Sequence, residues 1–154
     1  MKLGRNKKRV INIDKSRNVI SGDSKFAIVE GYKIARTNLV FSLATSESKV
    51  VVLTSWSKGE GKSTATANLA ISFSKMGKKV LLIDCDMRRP SLSAKLPIKK
   101  SPGLSDFLTG QATAENLIQL CGIKDDERAF HAISSGRTPP NPMELLSSPK
   151  MNRM

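Results

Sequence analysis

A chain of 154 residues, 39% hydrophobic and 25% charged, has the length and the composition to bury the core of one domain. No stretch of 18 apolar residues occurs, and the basic start is not followed by an apolar stretch, which excludes a membrane-spanning helix and a secretory signal. The net charge of +13 favours an anionic partner, and Cys85 and Cys121, standing far apart, form no metal-ligand spacing and suit a reduced, cytosolic setting.

Residues 1–24 read as a flexible basic arm, with room for a short strand at Arg17-Asn18-Val19-Ile20. Residues 1–25 hold eight Lys or Arg against Asp14 and Asp23. Such an arm is either a solvated tail or a contact for an anionic membrane face or acidic partner. It has Phe26 only at its edge and so lacks aromatics to stack on bases, which speaks against nucleic acid.

A helix is predicted from about Lys25 to Ser42, with Ile28, Tyr32, Ala35, Leu39 and Leu43 as its apolar stripe. Glu30, Lys33 and Arg36, three apart, lie along another side. They are a solvated charged face or a contact with a neighbouring subunit.

Lys49-Val50-Val51-Val52-Leu53 is β-branched and reads as a buried strand. Ser55-Trp56-Ser57-Lys58-Gly59-Glu60-Gly61-Lys62-Ser63-Thr64 follows, and then Ala65, Leu69, Phe73 and Met76 at helical spacing. Strand, glycine-rich turn and helix together form the setting of a phosphate-binding (Walker A) loop. Gly59 and Gly61 free the backbone to aim N–H groups at an anion, and the helix start adds its own. Lys62 is placed to reach terminal phosphates and Ser63 to ligate Mg²⁺. The full pattern asks for Gly where this chain has Trp56. Gly77 suits the helix C-terminus, with Lys75, Lys78 and Lys79 near its negative end.

Val80-Leu81-Leu82-Ile83 is a second buried strand, followed by Asp84-Cys85-Asp86-Met87-Arg88-Arg89-Pro90. Ligands of parallel sheets bind beyond the carboxyl ends of strands, so Asp84 becomes a candidate for Mg²⁺ or phosphate chemistry. On a continuing strand Asp84 and Asp86 would share a face. The two strands and the intervening helix read as a right-handed βαβ unit.

Pro90 to Pro102 reads as a loop. Gly103 to Gly110 reads as one or two helical turns, and Thr113 to Leu120 as a short helix capped by Thr113. Phe130 to Ile133 is a third strand, in which His131, the sole histidine, is a strand residue rather than a catalyst. Ser135 to Pro140 is a turn. A helix starts at about Pro142, with Asn141 as cap and Glu144 three residues on. The expectation is an α/β fold, a P-loop NTPase-like parallel sheet flanked by helices. No apolar strand ending in Asp follows Asp86, so the chain reads as incomplete at the C-terminus.

Four stretches carry a resemblance. Gly59-Glu60-Gly61-Lys62-Ser63-Thr64, Leu81 to Pro90, Gly103 to Gly110 and Pro139 to Ser148 resemble, in order and spacing, the bacterial tyrosine kinases of capsule and exopolysaccharide export. It covers about residues 25–154 and would make them the N-terminal portion of the kinase domain. Glu30 to Asn38 resembles the helix that packs these kinases into homo-oligomeric rings, with Lys33 where the family usually has Arg. Lys58 stands where it usually has Pro.

The resemblance implies ATP and Mg²⁺ as cofactors and phosphoryl transfer to tyrosine in substrate proteins and in the kinase itself. By it, Lys62, Asp84 and Asp86 are catalytic; Lys58, Gly59, Glu60, Gly61, Lys62, Ser63 and Thr64 contact the nucleotide; and Ser63 and Asp84 hold the metal. The family's third acidic motif and C-terminal tyrosine cluster find no match, and Tyr32 is the sole tyrosine. The resemblance also implies a membrane-bound activator, the polysaccharide co-polymerase, which would keep the chain peripheral at the inner face of the plasma membrane. Two other readings compete. One is a non-catalytic fragment that binds nucleotide or joins rings. The other is a ParA/MinD-type partition ATPase, whose extra lysine would stand where this chain has Ser57.

Overall fold

The computed structural model describes residues 11–12, 19–21, 23–46, 49–122 and 128–154. Among these residues four strands form one sheet: β1 (Ile11–Asn12), β2 (Leu81–Ile83), β3 (Gln119–Gly122) and β4 (Ala129–Ile133), in the order β1-β3-β4-β2. β1 runs parallel to β3 and β2 parallel to β4, but β3 and β4 are antiparallel. The sheet is therefore mixed rather than all parallel. β3 was hidden in the sequence because Leu120, three residues after Leu117, continues the apolar spacing of the short helix before it.

Helix α1 (Phe26–Ser42) lies on α2 (Lys62–Lys75), and α2 lies on β2 and β4. Neighbouring residues of β4 and β2 point to opposite faces, so Phe130, Ala132 and Leu82 join one core and Ile133 and Ile83 the other. The first core takes Ala67, Ala70 and Ile71 from α2, Leu92 from the one-turn α3 (Leu92–Lys95) and Leu96 just past its end. The second takes Leu104 and Leu108 from α4 (Leu104–Leu108) and Leu117 from α5 (Ala114–Leu117). Leu145, Leu146 and Met151, from α6 (Pro142–Leu146) and α7 (Pro149–Asn152), pack against its edge.

Several expectations are corrected. Residues 49–53 are not a strand, so the first arm of the anticipated βαβ unit is missing. The buried stripe of α2 is Ala67, Ala70, Ile71 and Ser74, not Ala65, Leu69, Phe73 and Met76. The helix is covered from two sides, by α1 and by the sheet, and small residues permit that close approach. α1 itself contains no buried residue; Val29 and Tyr32 make its contact with the core, and Ile28 is exposed. Residues 90–102 contain α3 and are not wholly a loop.

The basic arm is also more engaged than its composition suggests. Ile11 and Asn12 add β1 to the sheet, and Val19 and Ile20 are buried in the first core. The Ile20 N–H donates to Asn68 Oδ1 on α2 at 2.7 Å. Of the anticipated short strand, Arg17 and Asn18 lie outside the described residues, as do residues 1–10, while Val19 and Ile20 are not in a strand.

One close approach explains a glycine pair. A Cβ on Gly103 would stand 2.2 Å from Gly136 N, and the Gly136 backbone has a φ of +84°. The Gly103 N–H donates to Asp106 Oδ2 at 2.8 Å, which starts α4 as the reach-back half of a capping box. Arg137 pairs with the other oxygen of that buried carboxylate at 3.5 Å.

Candidate functional site

The glycine-rich turn has the backbone its sequence demands. Gly59 and Gly61 have φ of +81° and +90°, and the space where each Cβ would sit is open. Gly61 caps α2, and the Ala65 N–H closes its first turn on Gly61 O at 2.8 Å. The N–H groups of Lys62, Ser63 and Thr64 precede that bond and have no acceptor within the helix. They point from the positive end of a 14-residue helix. An anion fits this cradle.

Lys62 crosses the turn. Its Nζ donates to Ser55 Oγ at 2.8 Å, and Ser55 Oγ donates to Ser57 O at 2.9 Å. The ammonium is thus held over the loop by a neutral hydroxyl, which an anionic oxygen can replace. Lys58, Glu60 and Trp56 are exposed, and Thr64 is half-buried.

Ser63 and Asp84 are joined through one turn. The Ser91 hydroxyl donates to Ser63 Oγ at 2.7 Å, and the Leu92 N–H donates to Asp84 Oδ2 at 3.2 Å. Asp84 Oδ1 accepts the Asp86 N–H at 3.1 Å. The Asp84 side chain is buried just past the end of β2, where its own N–H still bonds Ile133 O. Burial pushes its carboxyl above the ordinary 3.8, against the pull of its backbone N–H bonds, and the charge of Asp86 pushes the same way. A cation beside Asp84 would relieve that cost. A hydroxyl and an adjacent carboxylate are hard oxygen donors, the set that suits Mg²⁺.

Asp86 does not share a face with Asp84. The strand ends at Ile83, the chain turns, and Asp86 is exposed. Its Oδ1 accepts the Arg89 N–H at 2.9 Å, while Met87 between the acids and arginines is buried and anchors the turn. Arg88 and Arg89 are exposed. The site is open on that side.

Of the charged triple on α1, Lys33 pairs with Glu30 at 2.6 Å on the surface. Arg36 turns inward instead and donates to Ser72 O at 2.8 Å, locking α1 to α2. His131 lies on β4, exposed, as its strand reading requires. A cavity of about 310 Å³ lined by Lys78, Lys79, Arg128 and His131 opens at the amino end of β2, away from Asp84. It holds none of the candidate residues. Sequence reasoning missed Ser55 and Ser91, since a lone serine in a polar loop carries no signal.

Comparison with known proteins now decides the family. A family model for the CobQ/CobB/MinD/ParA nucleotide binding domain matches residues 51–140. The chain belongs to that family. The relatives it resembles within this family are bacterial tyrosine kinases. It is 40% identical over 139 residues to "Tyrosine-protein kinase YwqD" of Bacillus subtilis, covering 90% of this chain and 57% of that protein. It is 35% identical to "Tyrosine-protein kinase CpsD" of Streptococcus agalactiae, covering 81% of this chain and 52% of that protein.

Two solved structures share the fold. The chimerical protein CapA2B2 superposes with a TM-score of 0.76 at 32% identity, over 92% of this chain and 61% of the other. The kinase domain of the Escherichia coli tyrosine kinase ETK gives 0.76 at 31%, over 81% and 48%. The chain thus spans about half the length of these four proteins.

Proposed function

We propose that the chain binds ATP with Mg²⁺ and serves a protein-tyrosine kinase that acts on itself and on substrate proteins in capsule or exopolysaccharide production. The observation that carries this reading is the link from Ser63 through Ser91 and Leu92 to Asp84, beside an open glycine cradle. The names of the related kinases support the reading.

In this proposal Lys62 exchanges Ser55 for a phosphate oxygen, and the N–H groups of Gly59 to Thr64 hold the same phosphates, flanked by Lys58 and Glu60. Ser63 Oγ and Asp84 hold the metal. Mg²⁺, when bound, neutralises charge on the phosphates. Asp86 keeps the Arg88-Arg89 turn in place at the open side. A membrane-bound activator and a ring built through Glu30, Lys33 and Arg36 complete the proposal. In such a ring Arg36 would have to leave Ser72, or act only by holding α1 on α2.

A second reading, nucleotide binding without turnover, has its own support. Among the described residues no group of three or more acids, histidines or cysteines could enclose a metal ion. The test is phosphotyrosine formation by the purified chain with labelled ATP and Mg²⁺, alone and with a tyrosine-containing substrate protein. Slow formation, lost in Lys62→Ala, supports a kinase. ATP binding with no phosphotyrosine in either case supports the second reading.

A further inference from the structure

The cavity at the amino end of β2 plays no part in the phosphate loop. Its volume is about 310 Å³, and Lys78, Lys79, Arg128 and His131 line it beside Val80 and Ala129. It opens at the far end of α2 from Lys62, and a helix of 14 residues is about 20 Å long. This end of the domain is cationic by sequence. No Asp or Glu occurs between Gly61 and Ile83, and none of the described residues lining the cavity is an acid. Asp125, Asp126 and Glu127, which precede Arg128, lie outside the described residues.

Lysines that follow a helix are ordinarily accounted for by its free carbonyls and the negative end of its dipole. Here those carbonyls are already taken. Phe73 O accepts the Met76 and Lys78 N–H groups at 3.0 and 3.2 Å, and Ser74 O accepts the Gly77 N–H at 2.8 Å. Arg128 Nη1 donates to Lys75 O. The Ser74 hydroxyl donates to Ala129 O at 3.0 Å and ties the helix end to β4. Among the described residues the ammonium groups of Lys78 and Lys79 and the His131 ring have no hydrogen-bond or ion-pair partner. Cations gathered at a concave surface without acids to balance them concentrate anions there.

The chemistry of the lining narrows the anion. Two ammonium groups present six N–H donors, more than a single carboxylate can use. A phosphate monoester brings three acceptor oxygens and close to two negative charges. Val80 and Ala129 are half-buried and offer an apolar wall. The volume falls at the lower end of the range of small-ligand pockets, about 300–1,000 Å³.

We propose that this cavity binds a small organic phosphate monoester, with Lys78 and Lys79 on the phosphate and the organic group against Val80 and Ala129. Arg128 stays on Lys75 O and contributes its charge. Occupancy is independent of Lys62.

The test titrates phenyl phosphate into the isotope-labelled full chain at constant ionic strength and follows the backbone amide signals. Lys62→Ala is titrated in parallel, because the phosphate loop can also take the probe. Expected are saturable shifts at Gly77, Lys78, Lys79 and His131, with the same affinity in both proteins. In the double variant Lys78→Gln, Lys79→Gln that affinity falls about tenfold or more. Both lysines are exposed, so the melting temperature of the double variant and its ATP affinity stay unchanged. Absence of saturable shifts at these four residues overturns the proposal. So does full affinity in the double variant. Inorganic phosphate binding as tightly as phenyl phosphate overturns the assigned ligand in favour of a bare anion.

Discussion

The Ser91 hydroxyl lies 2.7 Å from Ser63 Oγ, and Ser91 is followed by the Leu92 N–H that Asp84 accepts. One dipeptide thus holds both of the oxygen groups assigned to the metal. A single hydrogen bond contributes about 0.5–1.5 kcal/mol net. Ser91→Ala is therefore expected to weaken Mg²⁺-dependent ATP binding by about three- to tenfold. ATP binding without Mg²⁺ is expected to stay unchanged. Titration calorimetry with and without the metal checks both.

Asp84 sets a pH dependence. Its carboxyl lies above 3.8 because burial disfavours the charge. The folded state then holds a proton that the unfolded state releases more readily. That contribution to stability is fully present below the unfolded value and is lost as pH rises through the raised one. Thermal melts in the absence of metal, from pH 3 upward, are expected to show this fall relative to Asp84→Asn. Mg²⁺ affinity should run the opposite way and rise with pH over the same window. Parallel pH profiles for wild type and Asp84→Asn would contradict the assignment.

Asn68 holds the N-terminal segment on α2. Its Oδ1 accepts the Ile20 N–H within the core. Asn68→Leu leaves that donor buried and unpaired, which costs about 1–3 kcal/mol. Ile71→Ala, at a fully buried position of the same helix, should cost about 2–5 kcal/mol. Urea unfolding of both variants measures the difference.

The cysteines should differ in reactivity. Cys121 is fully buried and its thiol is pushed up to about 12 by burial. Cys85 reaches solvent at the surface, and partial desolvation by its surroundings, with the neighbouring Asp84 charge, raises its thiol. At pH 8 a thiol reagent is expected to label Cys85 slowly and Cys121 only after unfolding. Mass spectrometry of the labelled peptides distinguishes them. Fast labelling of native Cys121 would contradict its burial.

Local signals in this chain were legible where chemistry constrains the backbone. Gly59, Gly61, Gly77 and Gly110 all have the positive φ that turns and helix ends require. α1, α2, β2, β4 and the start of α6 lie within a residue or two of their expected places. Tertiary context decided the rest. Val50 to Leu53 has strand propensity but no partner among the described residues. Ile11 and Asn12, in a basic stretch, have a partner in β3. Asp86 left the face of Asp84 because the strand stopped one residue before Asp84. Ser91 entered the site by folding, and no spacing in the sequence announces it.

ATP binding by the purified chain, in Mg²⁺, compared with Lys62→Ala, tests the central claim most directly. Among the described residues the Lys62 ammonium bonds only Ser55, so the variant should keep the fold. Binding by the wild type and a loss of about 2 kcal/mol or more in the variant, some 30-fold, is the expected result. Equal affinity for ATP in the two proteins, or none in the wild type, would contradict the assignment of residues 59–64 as a phosphate-binding loop.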